Sequence, residues 1–279
     1  MIQIRQLDPT RSFSQNQAIL TIIQSKIDTP DITMFRWLDL ACGKGQLISQ
    51  LESNYNEQLR KKIIYHGYDV DRESITKANQ IARNLKFHDF KFDIGEIEKF
   101  DDIVEKGIEY DFITLINSIH EFSPKLLAEI LYYMVLRLKT SGCLFIYDMK
   151  KLPKKELGSL TWTKEEFSEI LNVFLDSIKN DGYHPFIGQW HHSSCTAWNV
   201  FIQKQYIYCT QAKLLEKKEQ VIEAVNQKTM ELIERKYQTC KKTLETYTEC
   251  GADNQDEEKS LVDSLYDFWS LNKIKEVQE

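Results

Sequence analysis

The chain has 279 residues, 42% of them hydrophobic and 28% charged, with a formal net charge of −6. That length and apolar content suit one α/β domain with an appendage, and the acidic balance removes any global basic footprint for nucleic acid. No window is long and apolar enough to span a bilayer, the N-terminus lacks the apolar run of a signal peptide, and none of the six cysteines (Cys42, Cys143, Cys195, Cys209, Cys240, Cys250) stands in a close pair of the kind that holds zinc. A soluble cytoplasmic protein with free thiols and no metal is expected.

Residues 14–28 read as a helix, because Ile19, Ile22, Ile23 and Ile27 share one face, and Thr29-Pro30-Asp31 ends it. From 36 to 148 strands and helices alternate, the signature of a mostly parallel sheet covered on both faces. The first strand, Trp37-Leu38-Asp39-Leu40, ends in the loop Ala41-Cys42-Gly43-Lys44-Gly45 and enters an amphipathic helix. Such a loop brings backbone close to a nucleotide-like ligand. A Walker phosphate loop would need Ser or Thr after Gly43-Lys44, where Gly45 stands, and a dinucleotide fingerprint would need a third glycine where Ile48 stands. Taken alone, the loop is still open to a plain strand-to-helix turn.

A second strand, Ile63–Asp69, ends in an acid 30 residues after Asp39, where paired hydrogen bonds to ribose hydroxyls are made in open α/β sheets. A helix follows from Asp71. A third strand, Phe87–Phe92, leads to Asp93-Ile94, and a fourth, Tyr110–Ile116, runs into Asn117-Ser118-Ile119-His120-Glu121-Phe122. Ser123-Pro124 opens a helix at 125–139. The Ser141-Gly142 turn precedes a fifth strand, Cys143–Asp148, and a lysine run, Lys150-Lys151-Leu152-Pro153-Lys154-Lys155, follows it. Thr163 and Glu166 make a capping box for a helix at 164–180, ended by Asp181-Gly182. Two aromatic-rich strands, His184–His192 and Thr196–Gln203, are close enough to pair antiparallel.

Asp39-x-Ala41-x-Gly43-x-Gly45, the acid at Asp69, and the segments at 93–94 and 117–122 together resemble motifs of the class I S-adenosylmethionine (SAM)-dependent methyltransferases, over roughly residues 30–204. The resemblance implies a Rossmann-like, seven-stranded, mostly parallel sheet with an antiparallel last strand inserted beside the fifth. It implies SAM as cofactor. Asp39 would organise the loop and the methionine end, while Gly43 and Gly45 would admit the methionine moiety. Ala41 stands where the family commonly has glycine, a small departure. Asp69 would hold the ribose, with Val70 flanking adenine and Asp93 and Ile94 addressing it. Asn117 would take a backbone or methionine contact. On the acceptor side, after the fourth strand, His120 is a candidate general base, its unperturbed pKa lying near neutrality, and Glu121 a candidate for orienting it or for an acceptor contact. Asp148, His191 and His192 are further candidates, and a metal set from His191, His192 and Cys195 is disfavoured.

After residue 204 the pattern changes. Residues 211–248 carry no Gly or Pro, and Ile222, Val225, Thr229, Ile233, Tyr237, Cys240, Leu244 and Tyr247 recur at three- and four-residue steps, close to a coiled-coil seam. A polar turn at 251–256 leads to a second helix, 257–275. The expected organisation is an N-terminal helical segment (1–30), a methyltransferase core (31–204) and a C-terminal α-helical hairpin (205–279). The hairpin carries 11 basic and 15 acidic residues, which favours self-packing, a protein partner or a homodimer over nucleic acid. The expected activity is methyl transfer from SAM to a small molecule or a protein. The alternatives are an RNA methyltransferase and a SAM-binding structural subunit that docks a partner through its C-terminal helices. No Asn/Asp-Pro-Pro-Tyr or Pro-Cys pair follows the fourth strand, and nothing there distinguishes an O-, N- or C-acceptor.

Overall fold

The computed structural model describes residues 14–29, 32–152, 156, 158–178, 182–191, 196–252 and 254–278. Its elements run α1 (Ser14–Ile27), β1 (Phe35–Leu40), α2 (Gln46–Ser49), α3 (Leu51–Asn54), α4 (Glu57–Arg60), β2 (Ile63–Asp69), α5 (Arg72–Leu85), β3 (Asp89–Ile94), α6 (Phe100–Ile103), β4 (Tyr110–Ile116), α7 (Pro124–Leu136), β5 (Leu138–Met149), α8 (Lys164–Ser177), β6 (Phe186–His191), β7 (Thr196–Gln203), α9 (Gln211–Glu216), α10 (Lys218–Cys250) and α11 (Gln255–Gln278). The seven strands form one sheet in the order β3-β2-β1-β4-β5-β7-β6. The first five are parallel where they pair. β7 runs against β5: the Lys150 N–H at the end of β5 reaches the Thr196 carbonyl at the start of β7, while Lys204, just past the end of β7, donates to the Leu138 carbonyl. This is the Rossmann-like architecture expected. Among the described residues no helix is long and apolar enough to cross a membrane.

The chain divides into two compact units. The first comprises the described residues of Met1–Ile116, Tyr133–Tyr147 and Asn199–Ile207. Its core is the sheet itself: Phe35, Trp37, Leu38, Leu40, Ile63, Tyr65, Phe112 and Ile113 are buried, and β4 is buried along nearly its whole length, as a central parallel strand must be. The Trp37 ring meets Tyr65 edge-on at 4.9 Å, and its indole N–H donates to Thr114 Oγ1 at 2.9 Å. β3 is the exposed edge strand.

The second unit comprises the described residues of Asn117–Tyr132, Asp148–Trp198 and Tyr208–Glu279. Phe167, Ile170, Leu171, Phe174 and Leu175 of α8 are buried, and Phe167 stacks on Trp198 with centroids 4.3 Å apart. α10 packs along α8, and its residues Val221, Val225, Thr229, Leu232 and Ile233 are buried. Glu169 of α8 pairs with Lys228 at 2.8 Å and Arg235 at 2.7 Å, and Glu166 with Lys236 at 2.8 Å. Further along, Tyr237 stacks on Phe268 of α11 at 5.0 Å. Along α10 the ion pairs to α8 thus fall at 228–236, and the seam residue Tyr237 meets α11.

Several boundaries differ from the sequence reading. The amphipathic helix after the first loop breaks into α2, α3 and α4. The single pattern at 211–248 is broken at Lys217 into α9 and α10. β3 begins two residues later than expected, so Asp93 and Ile94 lie inside it, paired with Tyr68 and Asp69. The Ser141-Gly142 turn is an excursion within β5, where the register with β4 shifts between Tyr110↔Leu138 and Phe112↔Cys143. A side chain on Gly142 would meet the Tyr110 and Lys139 carbonyls at 2.8 and 2.9 Å, so the excursion needs glycine.

Candidate active site

In the first unit the glycine-rich loop leaves β1 through left-handed backbone at Ala41 (φ 53°), Gly43 (φ 53°) and Gly45 (φ 75°). Gly45 needs glycine twice over, for its φ and because a Cβ would lie 3.0 Å from Ala78 Cα on α5. Ala41 carries the strain of a non-glycine residue in that region, a cost the sequence reading did not foresee. The loop is tied to β2 by two bonds: Cys42 N–H donates to the Tyr68 carbonyl at 3.0 Å, and Gly43 N–H to Asp69 Oδ2 at 2.8 Å. Asp69 Oδ1 accepts from Asp71 N–H at 2.9 Å. A carboxylate offers about four lone-pair positions, so the Asp69 carboxylate braces the loop and retains acceptor capacity.

Asp39 is 3% exposed. It accepts from Tyr65 Oη at 2.5 Å and from Thr114 Oγ1 at 2.6 Å. Burial pushes its pKa up to about 6, against the opposing pull of the Thr114 and Tyr65 hydrogen bonds, and the charge of Asp69 adds to the rise. Tyr65 and Thr114 escaped the sequence reading because strand register alone brings them to Asp39. Burial, then the charges of Asp39 and Asp69, push the Cys42 thiol up, which makes it an inert space-filler. At the carboxyl ends of β2 and β3, Val70 is 64% exposed and Ile94 is 44% exposed. Asp69 and Ile94 are register partners, so these two apolar side chains stand uncovered on adjacent strand ends. Asp93 pairs with Lys91 at 2.7 Å.

In the second unit Asn117, the first residue after β4, is held at φ 54°, and its side-chain Oδ1 is buried without a hydrogen bond among the described residues. His120 is buried. Its backbone N–H donates to Asp148 Oδ2 at 2.9 Å and its Nδ1 lies 2.8 Å from Asp148 Oδ1, while its carbonyl accepts from Leu160 N–H at 2.6 Å. Asp148 Oδ1 also takes the Met149 N–H at 2.6 Å. An ionised carboxylate only accepts, so this network assigns the proton to Nδ1 and leaves a lone pair on Nε2 of the neutral ring. Burial by itself would lower the His120 pKa. The Asp148 hydrogen bond and charge, with Glu121 and Glu156, outweigh burial and hold it above the ordinary histidine value. Nε2 lies 3.9 Å from Glu121 and 3.8 Å from Glu156. Glu156 is an addition to the sequence-derived set, and no local pattern marks it. His192, Cys195 and the side chain of His191 lie outside the described residues, as do residues 153–155 of the lysine run.

The methyltransferase-domain family matches residues 34–263. No curated protein matches the chain. Among solved structures, the plantazolicin methyltransferase BpumL, in complex with a triazolic desmethylPZN analogue and SAH, is similar with a TM-score of 0.50 and 15% identity over 68% of this chain and 83% of its own. The magnesium protoporphyrin IX methyltransferase ChlM from Synechocystis PCC 6803 is similar at a TM-score of 0.46 and 11% identity, covering 67% of this chain and 81% of its own. An rRNA methylase from Streptococcus thermophilus gives 0.46 and 13%, over 66% and 94%.

Proposed function

The chain belongs to the methyltransferase-domain family, and from that premise we propose that it transfers a methyl group from SAM to a small-molecule or protein acceptor received by the Asp148–His120 pair. When bound, SAM supplies a sulfonium-activated methyl group. The observation that carries the donor half is the cradle made by Ala41, Gly43, Gly45 and Asp69, open backbone beside a braced carboxylate with lone pairs to spare. Asp69 would take the ribose hydroxyls. Val70 and Ile94 would face adenine with the apolar surface they leave uncovered, and Asp93 would address its polar edge. Asn117 Oδ1 is a buried acceptor in need of a donor, and an ammonium group would satisfy it. Asp39 would hold the loop through the end of β1.

On the acceptor side, chain continuity supports the assignment: Asn117–Glu121 follow the carboxyl end of β4, the side of an open α/β sheet that binds ligands. His120 Nε2 would accept the acceptor's proton while Asp148 holds the ring and stabilises the imidazolium formed. Glu121 would contact the acceptor or orient the ring. The buried free thiols Cys42 and Cys143 support a reducing, cytoplasmic setting. The division into segments 1–30, 31–204 and 205–279 is retained as a proposal. A protein partner or second copy would meet α11, where Val262, Leu265, Tyr266 and Trp269 are exposed at helical spacing.

Calorimetric titration of SAM and S-adenosylhomocysteine into the wild type and Asp69→Ala tests the donor site. Saturable binding lost in the variant is expected, followed by labelled-methyl transfer in an acceptor screen. A folded wild type that binds neither compound would overturn the reading.

A further inference from the structure

We propose that His120, Glu121 and Glu156 form a site for a divalent first-row transition-metal ion, of the manganese or zinc kind. One ligand atom from each lies within 4.8 Å of the other two. The central donor is an imidazole whose side chain is only 5% exposed and aimed at the two carboxylates. Those carboxylates, 3.9 and 3.8 Å from Nε2, lie beyond hydrogen-bond distance. Around an ion held at about 2.1 Å, neighbouring ligand atoms sit about 3–3.5 Å apart. Glu121 and Glu156 are exposed, 64% and 57% at the side chain.

The second, independent observation is the support behind the ring. A ligating histidine characteristically donates its other ring N–H to a carboxylate that fixes tautomer and orientation. Asp148, 1% exposed, does this at 2.8 Å and takes the His120 backbone N–H as well. The lone pair of Nε2 is therefore fixed where the two carboxylates converge. One neutral imidazole and two carboxylates balance a divalent charge. The mixed nitrogen and oxygen set, without thiolate, suits manganese or zinc better than the all-oxygen preference of magnesium or calcium. Three protein ligands leave coordination positions for water or an acceptor heteroatom. A ring that ligates an ion cannot also accept a proton, so in the loaded protein the ion would face the acceptor in place of Nε2.

The site does not depend on methyl transfer, and it is tested without SAM. Mn²⁺ is titrated into chelator-stripped full-length protein and followed by electron paramagnetic resonance. One saturable ion is expected, weakened about tenfold or more in Glu121→Gln and in Glu156→Gln, and also in Asp148→Asn through the ring it positions. Glu165→Gln, an exposed acid on α8, should bind like the wild type. Circular dichroism checks that the variants are folded, and the two exposed glutamate changes keep the test informative even if Asp148→Asn unfolds. Three outcomes would each overturn the proposal: no saturable Mn²⁺ binding below millimolar concentration, wild-type affinity in both glutamate variants, or displacement of Mn²⁺ by equimolar Mg²⁺.

Discussion

Asp39→Asn isolates the energetic cost of placing a carboxylate beneath the glycine-rich loop. Asp39 is buried, and its pKa is raised from 3.8 to about 6. The folded chain therefore holds a proton that the unfolded chain has released between these values. By linkage, the stability this group contributes is fully present below pH 3.8 and is lost as pH rises through about 6. A rise of about two units corresponds to about 3 kcal/mol over the whole window, of which about 2 kcal/mol falls between about pH 4.5 and about pH 8. Asparagine has no charge to desolvate and still presents Oδ1 to Thr114 and an amide to the Tyr65 oxygen. Any offset from rearranged hydrogen bonds is the same at every pH. Urea unfolding of both proteins across this range, followed by tryptophan fluorescence, should show the variant gaining on the wild type by about 2 kcal/mol and then levelling off above pH 7. Parallel stability curves would refute the reasoning and mean that Asp39 ionises at an ordinary pKa in the folded state.

Gly45→Ala must hold φ 75° and push a Cβ against Ala78; a loss of about 1–3 kcal/mol is expected by chemical denaturation, with SAM affinity falling in calorimetry. Ala41→Gly relieves left-handed strain at φ 53° and should be neutral to stabilising, by up to about 1 kcal/mol, and a clear loss of stability would show that the methyl group packs usefully. If His120 is the base, methyl transfer should rise with pH through a value above that of an unperturbed histidine. Asp148→Asn removes the largest raising interaction and leaves burial opposed only by the charges of Glu121 and Glu156, so the limb of the rate profile should move to lower pH while kcat falls. An unmoved limb would assign the profile to another group. Thr163→Ala removes the α8 cap to Glu166 N–H, at 3.1 Å, and should cost about 1 kcal/mol in thermal unfolding.

Much of this molecule is written locally. The Thr163–Glu166 capping box forms in both directions, with Thr163 N–H donating to Glu166 Oε2 at 2.8 Å. Such a cap spans three residues of one chain segment, so sequence alone specifies it. The same holds for the apolar runs that become β1, β2 and β4 and for the glycine at position 45. The alternation of strand and helix limits the fold to a parallel sheet, and topological rules leave few ways to order it.

Tertiary structure decided what lies between the elements. Strand register brings Tyr65 and Thr114 to Asp39, turning a motif residue into a buried acid with a raised pKa. It also fixes the end of β3 two residues later and absorbs Ser141-Gly142 into β5. Asp148 meets His120 across 28 positions of sequence, and Glu156 joins them. Periodicity and capping act over three or four residues and can be read along a chain. Hydrogen bonds between side chains on separate elements depend on how those elements pack, and no local pattern encodes that.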